Sequence, residues 1–241
     1  GAQAADRRGD DELRERRVIH RYKLAGVAAG LTLVLGLAAA PTLVDAQSSA
    51  GQPEALAAAG AGLEPVSSFA SISDEKERSI AIFQETGKVI QHPRCLNCHP
   101  ADDRPLQGMD MHEHMPPVFR GEANFGLAGM ECTTCHTQAN VELVAQAEGL
   151  QSIPGNPNWH LAPIEMAWVG KSLAEICVQI KDEERNGGKS LAELVHHMAE
   201  DDLVGWGWNP GKGREPVPGT QAQFGELFQA WADSGAHCPG E

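Results

Sequence analysis

Three stretches in the second half of the chain repeat one pattern. Each opens with a hydroxyl residue, places an acid or amide three positions later, and then sets apolar side chains at i, i+3, i+4 and i+7. Ser172 and Glu175 introduce Leu173, Ile176, Cys177 and Ile180; Ser190 and Glu193 introduce Leu191, Leu194, Val195 and Met198; Thr220 and Gln223 introduce Phe224, Leu227, Phe228 and Trp231. The paired polar residues are capping boxes, in which side chains satisfy the free amides of a helix start, and the apolar spacing is one face of an α-helix. Three amphipathic helices follow, the first ending at Gly187-Gly188 and the second before Asp202. A fourth is predicted over "SDEKERSIAIFQETGKVI", with Ser73 as N-cap and its end near Ile90. Between these helices the chain is loop-rich, as in "PADDRPLQGMDMHEHMPPVFRGEANFG" and "GWGWNPGKGREPVPG", and no alternating run demands a sheet. The expectation is one all-α, loop-rich domain over residues 73–241. Few helices among so many loops leave a thin core, which something large must fill.

The first 72 residues read differently. Leu24 to Val44 is free of charge, follows the basic residues Arg16, Arg17, Arg21 and Lys23, and leads into "VDAQ", where Val44 and Ala46 suit a small-residue cleavage rule. Residues 1–46 are therefore read as a secretory signal peptide cut after Ala46, with an uncleaved membrane anchor as the competing reading. The first Met is Met109 and the charged stretch before Arg16 is long for a signal; a start at Val18 would leave residues 1–17 upstream of the true start. Residues 47–72, rich in Ala, Gly, Ser and Pro, read as a flexible linker. From Gln47 to Glu241 there are 12 Lys and Arg against 27 Asp and Glu. So acidic a chain is a poor partner for nucleic acid or anionic lipid and suits a soluble, periplasmic protein that meets basic patches on others.

The chemistry lies in two short motifs. "HPRCLNCHP" holds Cys95, Cys98 and His99, and "ECTTCHT" repeats the spacing with Cys132, Cys135 and His136. Cys-x-x-Cys-His is the attachment signature of c-type haem: two thiols add across the two vinyl groups of a porphyrin, and the next residue sets its imidazole on the iron as proximal ligand. A four-thiolate zinc site is the rival, but the 33 residues between the pairs exceed the usual zinc-ribbon gap and leave both histidines unexplained. Two covalently bound haems c, with His99 and His136 as proximal iron ligands, also supply the missing core.

The distal ligands come from His92, His112, His114, His160, His196, His197, His237 and six Met. On its helix His197 flanks Leu194 while His196 lies opposite the apolar stripe, so His197 is the inward candidate. His114 precedes Met115-Pro116-Pro117, where proline stiffens the loop, and is the second candidate, with Met115 as its local substitute. Met166 and His160, in "WHLAPIEMAW", are held in reserve. The choice sets the potential, because Met in place of His raises it. "MDMHEHM", residues 109–115, also has the soft ligands of a copper-handling protein. Cys177 and Cys238 remain; in an oxidising compartment, with Cys177 on a buried stripe, they are predicted to form a disulfide rather than two free thiols.

From about Phe83 to the end, "GKVIQHPRCLNCHP", "CTTCH", "WHLAP", "MAWVGKS", "ICVQIKD", "NGG", "LVGWGW" and "GAHCP" resemble a group of small exported dihaem cytochrome c proteins that often carry the name isoquinoline 1-oxidoreductase subunit. The name refers to molybdenum hydroxylases, and nothing in this chain resembles a molybdopterin or iron–sulfur domain. What the resemblance implies is a periplasmic electron carrier with two haems c, taking electrons from a dehydrogenase and passing them to a downstream acceptor. The rival expectations are a dihaem peroxidase-like enzyme, which needs one iron with an open sixth site, and the copper-handling protein.

Overall fold

The computed structural model describes residues 62–147 and 150–241. The predicted signal peptide, residues 1–46, and residues 47–61 of the predicted linker lie outside the described residues. Residues 62–72, read from composition as the end of that linker, belong to the folded body instead. Leu63 is buried in the core, the Glu64 amide donates to Glu85 Oε1 at 2.8 Å, and Val66–Phe69 forms a 3-10 turn that packs against it. Leu63, Val66 and Phe69 recur every third residue, the period of a 3-10 helix, which the surrounding small residues conceal.

The helices follow the apolar pattern closely. Helix α1 spans Glu75–Ile90, and its N-cap is Asp74, one residue later than expected. The Asp74 carboxylate accepts from the Glu77 amide at 2.9 Å, and a carboxylate at a helix N-terminus gains from the dipole as a serine hydroxyl does not. A single turn, α2, spans Pro93–Leu96. Helices α3 (Leu173–Lys181), α4 (Leu191–Glu200) and α6 (Gln221–Asp233) each start on the predicted capping box, with both reciprocal bonds made; α5 is a turn at Asp202–Gly205. Helix α3 stops at Lys181, six residues before the expected Gly187 stop. Asn186 is the reason: its amide donates to the Ile180 and Lys189 carbonyls at 2.8 Å each, and its oxygen accepts from the Lys189 amide at 2.7 Å. Those bonds offer the backbone a turn in place of another helical one.

Three two-stranded antiparallel ribbons were not predicted. They pair β1 (Leu106–Gln107) with β2 (His112–Glu113), β3 (Gly126–Leu127) with β4 (Met130–Glu131), and β5 (Val141–Ala147) with β6 (Leu150–Ile153). Strands of two residues are too short to show an alternation, and the longest ribbon carries a register irregularity between Glu142 and Ala147.

The core belongs to the helices. Helix α6 packs on both α1 and α4, and Phe83, Phe228 and Trp231 meet in an aromatic cluster whose closest ring centroids are 4.8 Å apart. Gly225 allows α6 to close on α4, since a Cβ there would lie 2.5 Å from that of Ala199. The C-terminal tail is fastened by the Cys177–Cys238 disulfide and by Trp231 Nε1 donating to the His237 carbonyl at 2.9 Å. No helix among the described residues is long and apolar enough to cross a membrane. The loop-rich half stands apart in character: eight of the ten exposed large hydrophobic residues, from Met115 to Leu150, lie in it.

The disulfide closes a loop of 61 residues, so replacing both Cys177 and Cys238 with Ala is expected to lower the unfolding free energy by about 4 kcal/mol. Ser190→Ala, which breaks one capping box, is expected to lower it by about 1 kcal/mol. Urea unfolding of the two variants against the parent checks both values.

Candidate functional site

The first motif is wound into a turn by the residue that precedes it. His92 N-caps α2, its Nδ1 accepting from the Arg94 amide at 3.1 Å, and Pro93 takes the first helical position. The Cys98 amide then bonds the Cys95 carbonyl at 3.1 Å and the His99 amide bonds the Leu96 carbonyl at 3.0 Å. Cys95 and Cys98 therefore lie three residues apart on one helical face, with His99 following directly. The second motif is built alike from Cys132–Thr134, a 3-10 turn in which the Cys135 and His136 amides both return to the Cys132 carbonyl, at 3.2 and 2.9 Å.

Each motif histidine is held by two contacts of the same kind. His99 Nδ1 donates to the Met166 carbonyl at 2.7 Å, and its ring lies flat on Trp168, with centroids 3.5 Å apart and planes 6° from parallel. His136 Nδ1 donates to the Pro154 carbonyl at 2.9 Å, and its ring lies on Trp159 at 4.4 Å and 9°. A carbonyl can only accept, so Nδ1 carries the hydrogen and the lone pair is left on Nε2. Burial pushes both imidazoles down to about 4, partly countered by these carbonyl bonds, so both are neutral at ordinary pH. A neutral imidazole with Nδ1 engaged and Nε2 free is the form that ligates a metal.

Both supporting tryptophans come from one segment, Trp159–Trp168, which runs between the motifs. Along it the Leu161 amide bonds the Asn124 carbonyl at 3.0 Å, the Ala162 amide bonds the Cys98 carbonyl at 3.1 Å, and the Trp168 amide bonds the His99 carbonyl at 2.9 Å. Arg120, 5% exposed, ties the same region together: its guanidinium donates to Asn124 Oδ1 at 3.1 Å, to the Asp102 carbonyl at 3.1 Å and to the Ala162 carbonyl, with Asp103 3.6 Å from Nε. Asn140 does the equivalent at the second motif, where its Oδ1 accepts from the Gly155 amide and from Trp206 Nε1, each at 3.0 Å. Trp206 in turn meets Trp159 edge-on at 5.0 Å.

Of the candidate distal ligands, two lie in the neighbourhood of a motif histidine. His114 stands 5.9 Å from His136 between ring centroids, and its Nδ1 donates to the Pro116 carbonyl at 3.0 Å. Two imidazoles sharing one metal through bonds of about 2 Å would hold their centroids roughly 6 Å apart. His197 is near enough to His99 for its charge to figure among the causes depressing that ring, after burial, and its Nδ1 lies 3.3 Å from the Asp201 carboxylate. The hydrogen bond to His197 holds the Asp201 carboxyl down at about 2. In both, Nδ1 is occupied and Nε2 is free.

The reserve candidates are placed elsewhere. Met166 is buried in the helical core, and its carbonyl accepts from His99 Nδ1, on the ring edge away from Nε2. His160 engages the Asn158 carbonyl and stacks on Phe125 at 4.6 Å. Met115 is 63% exposed. In the 109–115 segment His112 pairs with Asp110 at 2.7 Å while His114 turns to His136, so the two histidines do not share a partner. His196 and His237 pair with Glu200 and Glu241 at 3.5 and 3.4 Å. No three His, Cys, Asp or Glu side chains among the described residues gather as a metal cluster, so the four motif thiols do not form a common site.

The donor set fits covalent haem. Burial raises the Cys95 thiol to about 12 and the Cys98 thiol to about 11, with a neighbouring thiol adding to each, and burial raises Cys132 as well. Such surroundings favour neutral sulfur, as in a thiol or a thioether. Cys132 is the neighbour that perturbs Cys98, which places the two motifs side by side. Around the second motif, Phe119, Phe125, Leu127 and Met130 are 42–48% exposed, an apolar surface suited to a porphyrin face.

Arg120→Ala removes one buried charge that three loops share, and is expected to lower the unfolding free energy by roughly 3 kcal/mol in urea titration. Comparison with known proteins identifies no family: no family model, curated protein or solved structure matches the chain.

Proposed function

We propose that the protein is an exported dihaem c-type cytochrome that relays electrons one at a time from a dehydrogenase to a downstream acceptor. The observation that carries this reading is the duplicated Cys-x-x-Cys-His turn whose histidine is locked by a carbonyl and a tryptophan and has a second imidazole in its neighbourhood. Cys95 and Cys98 with His99 would hold the first haem c, and Cys132 and Cys135 with His136 the second. His197 and His114 are the proposed distal ligands. When bound, each haem supplies one-electron exchange between ferric and ferrous iron.

The chain's own residues orient and tune. The Met166 and Pro154 carbonyls fix which nitrogen of His99 and His136 faces outward, and the hydrogen bond raises that nitrogen's basicity. Asp201 acts on His197 in the same sense. Two histidines per iron place both sites in the low-potential class, suited to a relay. The Cys177–Cys238 disulfide accords with an oxidising, periplasmic setting. The net charge of −14 favours docking against basic patches on redox partners, at rates that fall with salt. A peroxidase-like reading requires an open iron, whereas each motif histidine here has a second imidazole near it.

The exported protein is expected to carry two porphyrins that survive acid–acetone extraction, read as the intact mass and a haem-stained denaturing gel; a colourless product ends the proposal. Reduced parent protein is expected not to bind carbon monoxide. His114→Ala and His197→Ala are each expected to open one iron, so that about half of the haem becomes high-spin and binds carbon monoxide while the other half keeps its six-coordinate spectrum.

A further inference from the structure

Beside the attachment turns, two guanidinium groups and one imidazole N–H are gathered with no acid paired to them. Arg94, next to Cys95, is 6% exposed, and the one hydrogen bond of its side chain runs from Nε to the Glu215 carbonyl at 2.8 Å. Arg214 donates to Ser152 Oγ at 2.6 Å, to the Ser152 carbonyl at 2.7 Å and to the Pro210 carbonyl at 3.4 Å, all neutral groups. Neither arginine has an ion pair among the described residues. The Glu215 carboxylate is exposed and forms no ion pair with the cluster; its charge acts on Arg94 and His92 from a distance, while its backbone carbonyl takes the Arg94 hydrogen bond. The two guanidinium groups feel each other: burial first, then the charge of Arg94, holds Arg214 below its ordinary range. His92 completes the group. It is 4% exposed, it spends Nδ1 as the acceptor of the Arg94 amide, and its Nε2 is buried without a partner.

A buried and a half-buried guanidinium held near each other favour an anion between them, and a guanidinium fork matches a carboxylate. A haem brings two carboxylates, its propionates, on the edge opposite the vinyl groups. Arg94 adjoins Cys95 and so stands at the thioether edge of the first haem, away from that haem's own propionates. Arg214 is anchored on Ser152, two residues before the Pro154 carbonyl that orients His136, and its charge acts on His136. Resting on the dihaem reading above, we propose that His92, Arg94 and Arg214 form the propionate-binding site of the haem attached at Cys132 and Cys135. The first attachment turn thus clamps the second haem, and the two centres are coupled through the chain as well as through space.

The test is a spectroelectrochemical titration of the exported holoprotein and of Arg94→Gln and Arg214→Gln, each first weighed for two haems. In both variants one haem is expected to become harder to reduce by threefold to tenfold in its one-electron equilibrium, tenfold being about 59 mV. That haem should be the one that binds carbon monoxide in His114→Ala. Potentials within twofold of the parent in both variants overturn the inference, as does a shift confined to the other haem. If inorganic phosphate added to the parent shifts a potential and Arg94→Gln abolishes the response, the cluster holds a soluble anion and the proposal fails. Should a Gln variant not accumulate, Arg94→Lys and Arg214→Lys keep the charge and lose the fork: the propionate-bending band in the resonance Raman spectrum is expected to move while the potential stays near the parent's, and an unmoved band is contrary. A parent without covalent haem defeats the dihaem reading itself, whereas two haems with unmoved potentials defeat this inference alone.

Discussion

A single hydrogen bond, made twice, governs the arrangement of this molecule: a histidine Nδ1–H given to a backbone carbonyl. At His99 the acceptor belongs to Met166 and at His136 to Pro154. The bond settles the tautomer and leaves one lone pair, and the flat contact with Trp168 or Trp159 settles where that lone pair points. Turns, loops and helices elsewhere bring those carbonyls and indoles to the two Cys-x-x-Cys-His turns. The acceptors lie 67 and 18 residues from their histidines, so neither is a product of local sequence.

The two halves of the fold meet this requirement by different physics. Helices α1, α4 and α6 share an apolar core, and α4 carries His197 at the edge of that rigid body, where Asp201, its C-cap, also engages the ring. The loop-rich half has little apolar core of its own. Arg120, Asn140 and Arg214 do there what leucine and phenylalanine do among the helices, joining loops by bonds from side chains to backbone carbonyls. Such a network is directional and leaves apolar side chains facing outward, among them Phe125, Leu127 and Met130. A porphyrin between those side chains would complete a core that the polypeptide leaves partial.

Charge is distributed in keeping with this. The exterior is strongly acidic, while the guanidinium groups of Arg94 and Arg120 are drawn inside beside the motifs. The sulfurs of Cys95, Cys98 and Cys132 sit where a thiolate is disfavoured, and the motif imidazoles sit where a proton on Nε2 is disfavoured. Neutral sulfur and neutral imidazole are the states that a thioether and an iron ligand require.

Local chemistry was enough to place much of this. The capping boxes at Ser172, Ser190 and Thr220 and the stripes behind them predicted three helices, because a cap and a 3.6-residue period act within a few turns of chain. The same locality made the turns at the two Cys-x-x-Cys-His motifs readable in advance, and the Cys177–Cys238 pair followed from being the two cysteines outside those motifs. Short ribbons, the folded stretch from Leu63 to Phe69 and the early stop of α3 escaped, since two-residue strands have no period and an Asn186 turn competes with a helix only once its partners are in place. The selection among histidines belonged to the tertiary structure alone. Nothing in "HEHM" says that His114 will stand before His136 while His112 pairs with Asp110, and nothing in "IEMAW" says that Met166 will lend a carbonyl in place of a sulfur. The first depends on which loops the fold brings together, and the second on a backbone carbonyl arriving from a distant loop, which carries no signature in sequence because every residue has one.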